Sequence, residues 1–340
     1  MKMTPIVVML GATLILFGVI ITNILMPDYL FRPRPSANAR PYTPLEQEGR
    51  EIYVKNGCVY CHSQETRPMD WDVGSGEAAQ PGDYAYDSPH VIGSNRIGPD
   101  LMREGGYHTD DWHSAHFENP RYTRPQSIMP SFKYVRGHER DALIAYVQCL
   151  GGQRGRDRTQ EQRSLNPTLV RYYGLGPAQN VAHLNSTMPR EWLTMPNPVP
   201  VTAGSVERGR VIYTAFCIGC HGEYGDGRGG AKPYLNPPPM DFTLLQASGA
   251  NPQRALPAYP YNFKTNKVSL INNGAIYYAV FHGLPGSAMP QFKGQLESEK
   301  IWDVGNYIGW AFMGWPLEDT RGRYEELAKT PHGTQIAARN

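Results

Sequence analysis

Two short stretches decide how this chain reads: Gly57-Cys58-Val59-Tyr60-Cys61-His62 and Phe216-Cys217-Ile218-Gly219-Cys220-His221. Each is a Cys-x-x-Cys pair followed directly by His. A bare Cys-x-x-Cys fits a zinc site or a redox dithiol as well as a c-type haem. Joining both pairs on one zinc ion would span 159 residues, far outside ordinary zinc-ligand spacing. A dithiol needs neither a trailing histidine nor a duplicate. Cys-x-x-Cys-His is the attachment signature of c-type haem. The two thiols form thioethers with the vinyl groups, and the adjacent imidazole reaches the iron. Cys58, Cys61, Cys217 and Cys220 are therefore expected to attach two covalently bound haem c groups, with His62 and His221 as proximal ligands.

The sixth ligand should lie far along the chain, on a loop folded over the opposite haem face. Met129, in Ser127-Ile128-Met129-Pro130, is 67 residues after His62; Met289, in Ser287-Ala288-Met289-Pro290, is 68 after His221. The matched intervals predict Met129 and Met289 as distal ligands, and Met/His ligation raises the reduction potential relative to bis-His. Met188-Pro189 and Met195-Pro196 lie between the two haem halves and are set aside. His113, His116 and His282 could replace a methionine, but surface or hydrogen-bonded roles are expected for them. Cys149 has no partner motif and reads as a small apolar residue in a packed helix.

The flanks repeat as well. Leu45, Gly49, Ile52 and Tyr53 precede the first motif at helical spacing; Val206, Gly209, Ile212 and Tyr213 precede the second. After each methionine comes another helical pattern, Leu143/Tyr146/Val147/Leu150 and Ile301/Val304/Ile308/Phe312. Gly151 is placed as a stop and Ser298 as an N-cap. A glycine in each first helix would let the last helix approach closely. This is an internal repeat of two domains.

Residues Pro5 to Met26 carry no charge. As a helix these 22 residues are about 33 Å long, enough for a hydrocarbon core of about 30 Å. The run is longer than a signal-peptide core and exits without a small-x-small site, so an uncleaved anchor in a lipid bilayer is expected. Gly (35) and Pro (30) are enriched, which argues for many loops. With 19% charged and 40% apolar residues, the chain is neither a disordered polyelectrolyte nor a multi-span membrane protein. A net charge of +2 gives no reason to propose nucleic acid as a partner. The charge is uneven: residues 41–150 carry 10 basic against 16 acidic side chains, residues 151–203 six against three.

Between its haem motif and Met129, the first half reads Cys61-His62-Ser63-Gln64, Arg67-Pro68, Gly93-Ser94, Arg96, Gly98-Pro99-Asp100-Leu101, Gly105-Gly106, Asp110-Asp111-Trp112-His113 and Asn119-Pro120-Arg121. In this order the motifs resemble subunit II of the cbb3-type haem-copper oxidases, a membrane-anchored mono-haem subunit. The resemblance implies a haem domain on the periplasmic side of the inner membrane. It also implies seating on an integral-membrane haem-bearing core subunit, and the Cys58, Cys61, His62 and Met129 roles. It implies that the Pro99 carbonyl accepts the proximal imidazole proton. The second half resembles a generic class I cytochrome c, like those of the di-haem subunit of the same oxidases. That subunit II normally stops after one haem domain, so the parent assembly could also be a nitric-oxide-reducing or another quinol-oxidising complex.

The expected fold is mainly α: a transmembrane anchor (1–31), a tether (32–40), a first cytochrome c class I-like domain (41–152), a linker (153–203), a second such domain (204–314) and a tail (315–340). The expected function is electron transfer. A soluble or membrane cytochrome donor would reduce the second domain on its flexible linker, and the first would deliver inward. The competing classes are a di-haem peroxidase, which would keep one iron open or bis-His ligated, and a passive assembly subunit with structural haems.

Overall fold

The computed structural model describes residues 4–30, 34–64, 79–91, 93, 97–245, 271–315 and 317. The Arg67-Pro68, Ser94 and Arg96 elements of the resemblance and almost all of the expected tail lie outside them. The fold is mainly helical, with no strand among the described residues.

Helix α1 (Pro5–Ile20) runs through a π-turn at Ile21–Leu25 into α2 (Met26–Leu30). The turn is where Thr22 Oγ1 bonds back to Gly18 O at 2.8 Å, competing with the helical ladder. No residue of α1 is buried, and its apolar side chains point out all round. Pro5–Leu25 is long and apolar enough to cross a membrane, and lipid is the solvent in which such a surface is stable.

Each cytochrome domain is built on two crossed helices. α3 (Pro44–Lys55) starts in a capping box of Thr43 and Glu46; α9 (Ala203–Phe216) starts in one of Thr202 and Ser205. The partners are α5 (His138–Cys149) and α12 (Ser298–Met313). A Cβ on Gly49 would sit 1.9 Å from the Ala142 carbonyl oxygen, and one on Gly209 would sit 2.0 Å from that of Asp303. Only a residue without a side chain allows these crossings. Tyr53 and Tyr146 close the first crossing, Tyr213 and Tyr307 the second, with ring centroids 5.2 and 5.3 Å apart. The helix of 10 residues or fewer ahead of each methionine loop is α4 (Asp110–Glu118) in the first half and α11 (Asn273–His282) in the second.

Three expectations change in detail. Leu45 is exposed because Glu46, held by Thr43 and Arg156, takes the buried place in the first turn of α3. Glu297, not Ser298, is the N-cap of α12. Gly151 does end α5, in a left-handed conformation at φ 89°, but the chain turns directly into another helix.

The larger correction concerns the segments expected to be loose. The linker is helical: α6 (Gly152–Gly174), α7 (Pro177–Thr187) and α8 (Arg190–Leu193). Three of its six basic residues meet the first half. Arg156 grips Glu46 at 2.7 and 2.9 Å, Arg158 donates to the Gly105 carbonyl at 2.8 Å, and Arg163 meets Asp110 at 2.8 Å. Farther along α6, Asn166 donates to the Asn236 and Gly286 carbonyls of the second half at 2.7 and 2.8 Å. The tether is pinned too: Ser36 N donates to Gly82 O, and Asn38 O accepts from Gln153 N at 2.7 Å.

Candidate haem sites

At the first site α3 ends at Lys55, and Gly57 takes a left-handed conformation, φ 73°. A short 3-10 turn, Cys58–Tyr60, then delivers Cys61 and His62, with His62 N donating to Cys58 O at 2.9 Å. Tyr53 OH donates to the His62 carbonyl. His62 Nδ1 lies 3.0 Å from Pro99 O. A carbonyl only accepts, so Nδ1 carries the proton and Nε2 keeps its lone pair for a metal. Gly98 lies flat on the imidazole, where a Cβ would come 2.4 Å from His62 Cε1.

The second site repeats this frame. Tyr213 OH donates to Gly222 O at 2.7 Å, and His221 N donates to Cys217 O at 2.9 Å from the short helix α10 (Ile218–His221). His221 Nδ1 points at Met240 O, 3.3 Å away, and its ring stacks on Phe242. Met240 therefore stands where Pro99 stands in the first half. Sequence reading missed it, although the Pro237-Pro238-Pro239-Met240 run was visible. Burial pushes the His221 imidazole down to about 4, so it is neutral, as an iron ligand must be.

The methionine loops match in the same way. Met129 N donates to Ser127 Oγ and Met289 N to Ser287 Oγ, both at 3.2 Å. Cys217, Cys220, His221 and Met289 line one apolar cavity with about 1400 Å³ of empty space, its open mouth included. Met188, Met240 and Met313 also reach this cavity. Of the four methionines there, Met289 is the one in the Ser-x-Met-Pro turn that parallels Met129. Unexpectedly, the linker lines it through Tyr173, Asn180, Val181 and Leu184, and the first half through Trp112, Thr123 and Arg124.

Of the three histidines set aside as surface or hydrogen-bonded, His113 is buried, His116 is half-buried and hydrogen-bonded, and His282 is half-buried. His113 is buried 3.5 Å from Glu104, which also binds His108. His116 places Nε2 3.2 Å from Met129 Sδ and Nδ1 2.6 Å from Thr123 Oγ1. Cys149 is buried in α5, as expected.

The donor set fits haem c and not the competing uses of Cys-x-x-Cys. Burial pushes the Cys58 thiol up to about 11 and the Cys217 and Cys220 thiols up to about 12, the reverse of an activated dithiol. Among the described residues no three His, Cys, Asp or Glu side chains gather as a metal cluster. What is present is a pair of thiols, an oriented neutral imidazole and an apolar cavity with a thioether on its wall. When bound, haem c supplies a one-electron iron couple whose potential the axial ligands and burial set.

Comparison with known proteins agrees with the two halves. Residues 1–142 match the family model of the cytochrome c oxidase mono-haem subunit, FixO. Residues 204–308 match that of cbb3-type cytochrome c oxidase subunit III. No curated protein sequence matches the chain. Among solved structures, the Kuenenia stuttgartiensis reducing HAO-like protein complex Kustc0457/Kustc0458 aligns over 77% of this chain and 94% of its own, at 16% identity and a TM-score of 0.25. That score is too low to bear on the fold. The chain thus joins a FixO-like domain, preceded by one helix long and apolar enough to cross a membrane, to a second cytochrome c domain of the cbb3 oxidase kind.

Proposed function

We propose that this protein holds two covalently attached haem c groups and passes electrons to an integral-membrane, haem-bearing core subunit of a haem-copper oxidase. His62 and Met129 would ligate one iron, His221 and Met289 the other. The observation that carries the reading is the duplicated frame: in each half a Cys-x-x-Cys-His turn, a proximal imidazole held by a backbone carbonyl, and a serine-braced methionine loop. With both histidines and both methionines as ligands, each iron would have no open position for a substrate, which favours electron transfer over peroxidase chemistry.

In this reading the anchor crosses the inner membrane with its N-terminus inside, because haem attachment takes place outside the cytoplasm. The FixO-like half, tied to the anchor, faces the core subunit. The second half receives electrons from a soluble or membrane cytochrome donor. The protein's own part is to orient His62 through Pro99 and His221 through Met240, to exclude water from the irons, and to set the potentials through the thioethers.

A pyridine haemochrome assay should return two haems per chain, and Met289→Ala should lower one midpoint potential while slowing donor oxidation by the assembled complex. Fewer than two haems would refute the reading. An unaltered rate of donor oxidation with the potential lowered would assign the second haem a structural role.

A further inference from the structure

The two sites are joined through one face of α4. Trp112 and His116 sit one turn apart there, and their rings stack with centroids 4.6 Å apart and planes 11° apart. On one side His116 Nε2 touches Met129 Sδ at 3.2 Å. On the other, Trp112 lines the cavity of the second site. It belongs there to an apolar cluster with Ala231, Leu235 and Ala288, against which Cys220 packs. Ala288 precedes Met289, and Cys220 is an attachment thiol. The approach is close: Cys220 Sγ lies 3.8 Å from Tyr122 O, and a Cβ on Gly219 would come within 2.3 Å of the same oxygen.

The partners of His116 settle its tautomer. A thioether sulfur can only accept, so the Met129 contact requires the proton on Nε2. Nδ1 then accepts from the Thr123 hydroxyl at 2.6 Å, a closer acceptor than Pro120 O at 3.3 Å. The ring is thus held at both ends, one edge on the distal ligand of the first site and one face on Trp112.

We propose that Trp112 and His116 form a bridge for electron transfer between the two haem sites of this chain, a role that rests on the two-haem reading above. One electron leaves a ferrous iron in one half, which becomes ferric. It arrives at a ferric iron in the other, which becomes ferrous. No bond forms or breaks, no proton moves, and neither ring is itself oxidised. Tunnelling decays more steeply across gaps than through packed atoms, and the contacts from the second cavity through Trp112 and His116 to Met129 leave no gap. The linker serves the same end. Asn166 ties α6 to the second half, while Arg156 and Arg163 tie it to the first, so the halves keep the register the bridge needs.

The test uses the full chain in detergent, one electron injected photochemically, and the absorbance of the two haems followed as the electron equilibrates. Trp112→Leu should slow this equilibration severalfold while spectroelectrochemical titration finds both midpoint potentials unmoved; Trp112→Phe should restore most of the rate. His116→Leu breaks the path at its far end and should slow it likewise, with a shift in the methionine-to-iron charge-transfer band. Tyr234→Ala trims the same interdomain cluster away from the bridge and should leave the rate near that of the parent chain. An unchanged rate in Trp112→Leu or His116→Leu overturns the bridge, as does equal slowing by Tyr234→Ala, which would assign the effect to a loosened interface. A haemochrome count taken on the same samples separates the two ideas. Two haems with an unchanged rate defeat the bridge alone, whereas fewer than two defeat the reading beneath it.

Discussion

The two halves share a frame and differ in what fills it. Gly49, Arg50 and Tyr53 of α3 correspond to Gly209, Arg210 and Tyr213 of α9. The glycines and tyrosines do the same thing in both. The arginines do not. Arg50 is buried against Asp87 at 3.1 Å, in a network where Asp87 also accepts from Tyr42 OH at 2.6 Å and Gln64 Nε2 at 2.8 Å. Arg210 lies at the surface with Glu207, three residues away on its own helix. Elsewhere the first half sets the Glu104 carboxylate among the buried imidazoles of His108 and His113. The second half instead stacks aromatics: Trp302 on Tyr277 with centroids 4.3 Å apart, and Trp192 on Tyr277 at 5.8 Å. Local repetition of sequence sets the haem cradle; the loops that close over it set whether a given side chain is structural or merely solvated.

The sharpest way to break this comparison is to remove the buried anion. Asp87→Ala strands the Arg50 charge in the first core and should cost about 4 kcal/mol, seen as loss of the first unfolding transition when haem absorbance is followed in denaturant. A cost like that of a surface pair would mean that Arg50 reaches water. Next come the crossings. Gly49→Ala and Gly209→Ala each force a Cβ into a carbonyl, and each should cost about 3 kcal/mol by the same measurement. Unequal costs would show that the two crossings are not equivalent.

Acid should then separate the halves. Burial pushes His113 from 6.5 down to about 4, so the unfolded chain takes up its proton first and stability falls as pH drops from 6.5 toward 4. Glu104, surrounded by His108, His113 and His116, is held near 2 instead of 4.5; its contribution is full above 4.5 and is lost as pH falls toward 2. The other charges facing this cluster are Asp110, near His113, and Arg124, near His108. Melting of the full chain against pH should show the first half failing earlier, and His113→Gln should flatten the upper part of that fall. The smallest effect is Glu207→Ala, which frees Arg210 at the surface and should change stability by less than about 1 kcal/mol. A larger loss would mean that the two arginines are more alike than their surroundings suggest.

Much of the cradle was legible in advance because its chemistry is covalent and local. Cys-x-x-Cys-His must be contiguous to reach both vinyl groups and the iron, and the paired Met-Pro turns stand at nearly the same interval in each half. The crossing glycines were legible for a related reason: a glycine among Ile52 and Tyr53, or Ile212 and Tyr213, has few uses except close approach. Met240 was not legible. Its role belongs to a backbone oxygen, which any residue supplies, so no side chain advertises it. The linker misled because its polar, arginine-rich composition resembles a solvated tether. Those arginines find their partners in Glu46, Gly105 and Asp110, dozens of residues away. For His116 a hydrogen-bonded role was expected, but its partners, Thr123 and Met129, were not legible, since a histidine in a polar-looking helix does not reveal what will pack over it.

The order of residues along this chain was enough to mark an apolar N-terminal helix, two Cys-x-x-Cys-His turns, and a repeated helix pair held by glycine. Each depends on residues within a few turns of one another or on a repeat that can be laid over itself. Folding in three dimensions was needed to turn the linker into a strut, to set Arg50 and Arg210 in opposite surroundings, and to bring Trp112 between the two sites. Those outcomes depend on which distant surfaces meet, and the free energy of burial that selects them is shared among many weak contacts that no short stretch encodes.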